Sequence, residues 1–126
     1  MDSDELRLPP DSPLAAAITA EWRLLPLRIP TGWTVQWNTL HVRRLPSGLI
    51  EVNDSEDLLW AERLPPSWLT GEKKAAHRKV GLDIGWYRDT FRAVILDPDW
   101  DSIAADITTT DLDELVATVE DWLPRY

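Results

Sequence analysis

The chain has 126 residues, 44% of them hydrophobic and 28% charged, a balance that fits one globular domain and excludes disorder or collagen-like repetition. It has no cysteine, which excludes disulfides, thiolate-held metals and thiol nucleophiles. The net charge is −9, and nine acids with no base lie between Ala93 and Pro124, so neither nucleic acid nor a membrane is expected as a partner, phosphate contacts needing clustered Lys and Arg.

Residues 1–11 are polar, carry Pro9-Pro10 and are expected to form a loosely ordered tail, leaving 12–126 as a single domain. Asp11 or Ser12 can cap a helix with Pro13 in its first turn. Leu14, Ile18, Trp22 and Leu25 then fall on one helical face, within an alanine-rich stretch that Pro26 ends. After the Pro30-Thr31-Gly32 turn, Trp33, Val35, Trp37 and Thr39 alternate with polar residues, which predicts a strand continuing through His41-Val42-Arg43. Leu45-Pro46-Ser47-Gly48 is a hairpin turn, and Leu49–Val52 is the returning strand. The stretch Ser55–Arg63 fits a short helix or a strand from Leu58 to Glu62, with the strand preferred. Residues 67–79 form a loop, with a short helix around Lys73–His77; at this length such a loop is mobile or functional.

Val80, Leu82, Ile84 and Trp86 alternate with Gly81, Asp83, Gly85 and Tyr87, the clearest strand in the chain. Arg88-Asp89-Thr90 turns it back into Phe91–Leu96, and Ile103–Thr108 follows after Asp97-Pro98-Asp99. Thr110 or Asp111 caps a last helix, whose Leu112, Leu115, Val116, Val119, Trp122 and Leu123 share one face. The expected fold class is therefore α+β: two layers, an antiparallel sheet of five or six strands covered on one face by an N-terminal and a C-terminal helix.

Sequence motifs for catalysis are weak. His41 and His77 are the only histidines, they stand far apart, and no nucleophile elbow or metal-binding helix motif accompanies them. Asp97-x-Asp99-x-Asp101 resembles the opening of a calcium loop, but Ser102 and Thr108 stand where that loop needs glycine and glutamate. Gly71-Glu72-Lys73-Lys74 and Gly81-x-x-x-Gly85 lack the spacing of phosphate- and dinucleotide-binding loops. No cofactor, no metal site and no catalytic residue is expected. No apolar run is long enough to span a membrane, and the chain opens on acidic residues, so a cytoplasmic protein is expected.

Eight tryptophans in 126 residues stand out. Trp22 and Trp122 on the helices, Trp33 and Trp37 sharing one face of a strand, and Trp86 beside Leu82 and Ile84 fit a core. Trp100, flanked by Asp99 and Asp101, fits either a cover over a sheet edge or an aromatic anchor ringed by acids. In the second case Asp97, Asp99, Trp100, Asp101 and Asp106 would meet a basic protein. The acidity equally fits a surface kept soluble by charge.

The run Gly85-Trp86-Tyr87-Arg88-Asp89, then Asp99-Trp100, then Thr109-x-Asp111 leading into Glu120-Asp121-Trp122-Leu123, resembles small bacterial immunity proteins of polymorphic toxin systems over residues 80–123. That resemblance implies a non-enzymatic inhibitor that neutralises a basic toxin domain by direct binding. A different class of reading is a small-molecule-binding or enzymatic domain, with a pocket between sheet and long loop lined by Trp60, Trp68 and His77. A third is a structural module that forms a homodimer through its free sheet face.

Overall fold

The computed structural model describes residues 5–64, 68, 70–72 and 79–126. Two antiparallel sheets share one apolar core. The first has four short strands, β1 (Glu5–Leu6), β2 (Arg23–Leu24), β4 (His41–Arg44) and β5 (Ile50–Val52), in the order β1-β5-β4-β2. The second has five, β3 (Trp33–Asn38), β6 (Leu59–Arg63), β7 (Val80–Tyr87), β8 (Thr90–Leu96) and β9 (Ile103–Thr109), in the order β3-β6-β7-β8-β9. Helix α1 (Leu112–Trp122) follows and buries Leu112, Leu115, Val116 and Val119 in the same core. The expectation of one sheet beneath two helices is thus corrected to a mainly β fold with two sheets and a C-terminal helix.

Two local events account for the difference. The alanine-rich N-terminal stretch forms only a 3₁₀ turn, Ala15–Ala17, before the chain extends into β2. The helix-forming tendency of three alanines is small, and a segment bracketed by Pro13 and Pro26 is short for helix nucleation. Tertiary bonds take its backbone instead. Arg44 N–H donates to the Thr19 carbonyl at 2.6 Å, Leu25 N–H donates to Leu40, and Arg23 and Leu24 pair with Val42 and His41. Ser12 holds the entry, its hydroxyl accepting from Leu14 N–H and donating to Asp113 on α1.

The second event is a change of sheet. The long strand expected from Trp33 to Arg43 breaks at Thr39-Leu40, where Asn38 Oδ1 accepts from Leu40 N–H in a local turn and the buried Leu40 anchors the corner. Trp33–Asn38 belongs to one sheet and His41–Arg44 to the other. Within the stretch expected to be a loose tail, Glu5 and Leu6 form β1 against β5, and Leu6 and Leu8 are buried.

Downstream, pattern and structure agree closely. The apolar side of β7 (Val80, Leu82, Ile84, Trp86) faces the core, and Trp86 meets Phe91 edge-on with ring centroids 4.6 Å apart. Asp111 caps α1, its carboxylate accepting from Glu114 N–H at 3.2 Å. Leu59–Arg63 is a strand. The short helix expected around Lys73–His77 lies outside the described residues. Among the described residues no helix is long and apolar enough to cross a membrane.

Candidate functional site

The five-stranded sheet has one face on the core and an opposite, outer face whose composition is unusual. Strand register places Trp37, Trp60, Asp83, Val94 and Asp106 in a row across it, one from each strand. Trp37 arrives there through a bulge. The register between β3 and β6 shifts between Val35 and Trp37, leaving Gln36 as the extra residue, so Trp37 leaves the face it would have shared with Trp33. Trp33 is buried, with its indole N–H on the Leu123 carbonyl at 2.8 Å, whereas Trp37 is 53% exposed and donates to the Asp57 carbonyl. The expectation that both rings are core is corrected for Trp37. It is corrected also for Trp22, which is 43% exposed and carries the Arg43 guanidinium on its ring.

Two glycines shape the centre of this face. A Cβ at Gly81 would meet the Trp60 ring at 2.5 Å, and one at Gly85 would strike the Glu56 carbonyl and the Tyr87 ring. Glycine in a strand interior marks such close approach. The Trp60 ring therefore lies over Gly81 and the Tyr87 ring over Gly85, with Asp83 between the two positions. Trp60 is oriented by its indole N–H on Glu62, whose carboxylate also pairs with Lys79 at 3.2 Å.

Asp83 is half-buried, and its carboxyl is pushed up to about 6, first by burial and then by the negative charge of Asp57, with Arg92 opposing. The Tyr87 hydroxyl is raised by burial and then by Asp83, Glu56 and Asp57. Among the described residues no hydrogen bond to the Asp83 carboxylate is found, and Arg92 is bonded elsewhere. It grips Asp106 through two bonds, at 3.2 and 2.9 Å, and lies over the Trp100 ring at 5.9 Å.

A carboxyl with a higher folded than unfolded pKa binds its proton more tightly in the folded state, so stability is greatest at low pH and declines as pH rises from about 4 to about 6. Asp83→Asn is expected to remove this decline. At pH 7.5 the variant should exceed the wild type by about 1 kcal/mol, the full shift being discounted for the half-exposed setting. Urea unfolding at pH 4.5 and 7.5 measures it; equal slopes for both proteins would contradict the assignment.

The acids expected at the partner surface separate into groups. Asp97, Asp99 and Asp101 stand with Trp100 in the β8–β9 turn, where Asp99 accepts from Asp101 N–H and Asp97 N–H donates to Ser102. Asp106 joins them on the outer face through Arg92 and Trp100. The remaining acids of the C-terminal quarter serve α1 and its neighbours: Asp111 caps, Asp113 accepts from Ser12, Glu120 accepts from Arg28 N–H, and Asp121 pairs with Arg125. Among the described residues no group of three or more His, Asp or Glu gathers as a metal-holding cluster, the calcium-like Asp97-Asp99-Asp101 run included.

Of the residues expected to line a pocket, Trp60 lies on the outer sheet face, Trp68 is 76% exposed, and His77 lies outside the described residues. Two grooves occur elsewhere, one of about 650 Å³ between Leu6–Pro10 and Asp89, the other of about 480 Å³ between Leu14, Leu27 and Val116; neither Trp60 nor Trp68 lines them.

Comparison of the chain with protein-family models, curated proteins and solved structures finds no significant match. The functional reading therefore rests on the outer face itself. Its central residues, Asp83, Tyr87, Trp37 and Arg92, were not singled out by the sequence motifs. The signal was nevertheless present, in Gly81-x-Asp83-x-Gly85-x-Tyr87 along the non-apolar side of the best strand.

Proposed function

We propose that this domain is a non-enzymatic protein-binding module of the immunity type, neutralising a basic toxin domain by docking through the outer face of the five-stranded sheet and the β8–β9 turn. The observation that carries this reading is the joint presence there of exposed aromatic rings, Trp37, Tyr87 and Trp100, with the carboxylates of Asp57, Asp83, Asp99 and Asp101. Large flat rings give strong desolvated contact, and a negative surround steers a cationic partner towards them. Pairing of Arg92 with Asp106 and Trp100 adds support, because it joins the outer face to the aromatic ring of the β8–β9 turn.

The test asks whether a toxic domain is encoded immediately upstream of this chain and, where one is, uses that domain purified and immobilised; absence of any such domain would count against the reading. Wild-type protein is expected to bind it stoichiometrically and to block its toxicity, with an association rate that falls as salt rises. Asp99→Lys combined with Asp101→Lys should slow association at low salt by tenfold or more while leaving the thermal midpoint within about 2 °C. Unchanged association in the double variant would defeat the electrostatic part. Absence of binding by the wild type would defeat the reading as a whole.

A further inference from the structure

The chain twice builds the same three-part contact from its own residues. Arg43 lies 4.7 Å from the Trp22 ring centroid while its Nε donates to Glu51 at 2.6 Å. Arg92 lies over Trp100 while its guanidinium bonds both oxygens of Asp106. Each places a guanidinium over an indole ring while it hydrogen-bonds a carboxylate, a combination to which arginine is suited and lysine is not.

The centre of the outer face repeats two of these three parts. Asp83 is the direct cross-strand partner of Trp60, and the Tyr87 ring lies two positions along the strand, over Gly85. Both rings reach in over the strand because Gly81 and Gly85 carry no side chain, so the Asp83 position stands between two aromatic rings. Arg92, whose charge acts on Asp83, already holds Asp106. On the protein-binding reading above, we propose that Asp83, walled by Trp60 and Tyr87, is the seat for an arginine side chain presented by the protein partner.

The seat differs in kind from the β8–β9 turn acids. Those are exposed and act at long range, whereas Asp83 is half-buried and acts only on a group that reaches the sheet. A guanidinium there would donate to both oxygens of the carboxylate in a two-point bond and stack against Trp60. Lysine would supply charge without the fork. Asp83 thus sets which residue type the partner must offer, while the turn acids set how fast it arrives.

The experiment uses the full-length protein, ¹⁵N-labelled at pH 7.5, titrated with a tetra-arginine peptide and, separately, a tetra-lysine peptide. Saturable shifts are expected at the amides of Gly81, Asp83 and Gly85 and at the Trp60 indole N–H, with arginine binding at least threefold tighter than lysine. Asp83→Asn should weaken tetra-arginine by fivefold or more. Asp121→Asn, which removes the same charge from α1, should change it by less than twofold. Shifts confined to Asp97–Asp101, equal binding by both peptides, or equal weakening by the two variants would each overturn the arginine seat. Any of these would leave the basic-partner reading to stand on its own binding test. No shift at any of these residues would also overturn the seat, and the toxin-domain measurement would then decide the broader reading separately.

Discussion

Trp86→Ala is expected to destabilise the protein by about 3–5 kcal/mol, against less than about 1 kcal/mol for Trp37→Ala, in urea unfolding at neutral pH. Trp86 is almost wholly buried and closes on Phe91, so its removal deletes a large apolar area and leaves a cavity that flanking strands, fixed by their ladders, fill poorly. Trp37 is half in solvent, and its principal tie is one bond to the Asp57 carbonyl. The contrast tests the assignment of the two sheet faces directly. Similar losses in the two variants would mean that Trp37 does not stand on the outer face.

The second large effect concerns a methyl group. Gly85→Ala is expected to destabilise by about 2–3 kcal/mol, at the upper end of ordinary overpacking. Gly85 has no left-handed backbone to protect, and in an unobstructed strand alanine would be mildly favourable. The obstruction decides the sign. A Cβ there meets the Glu56 carbonyl, and that segment is tied down on both sides, by Trp86 N–H donating to Ser55 and by Leu58 N–H donating to Ile84. It also meets the Tyr87 ring, so the variant should disturb Tyr87 as well as lower stability. Thermal unfolding and the tyrosine ring resonances follow both effects. A neutral or stabilised Gly85→Ala would show that the 53–58 segment does not lie against β7.

The parts of the fold that were legible in sequence are those where one local rule dominated. β7 alternates without interruption, so its faces follow from period two alone, and α1 carries both a capping Asp111 and a regular apolar stripe. The N-terminal stretch misled because alanine propensity is a weak force, and β4 offers its backbone better-placed partners. The Trp33–Arg43 stretch misled because alternation says nothing about which sheet a strand joins. The side-chain bond of Asn38 to Leu40 N–H and the bond of His41 N–H to the Thr39 carbonyl mark the corner, and an asparagine followed by threonine and leucine is not a strong turn signal. The bulge at Gln36 is invisible to periodicity for a related reason: it changes face without changing residue types.

The candidate surface was legible in part. Trp100 and Asp106 were separately conspicuous, but Arg92, which joins them, is one of ten arginines and had no local mark. Asp83 reads in sequence as an ordinary polar residue on the solvent side of a strand. Only the flanking glycines hint that its neighbours crowd inward, and the identity of those neighbours is set by register with β6.

The shared core has a consequence for biosynthesis. All four strands of the smaller sheet come from residues 5–52, yet the apolar side chains they contribute, Leu6, Val42, Ile50 and Val52, are buried with residues of β6–β8 and α1, which the ribosome delivers later. A nascent chain halted near residue 60 would hold these groups without their covering layer and be open to chaperones or to self-association, and this vulnerability should end only once the β7–β8 hairpin has left the exit tunnel.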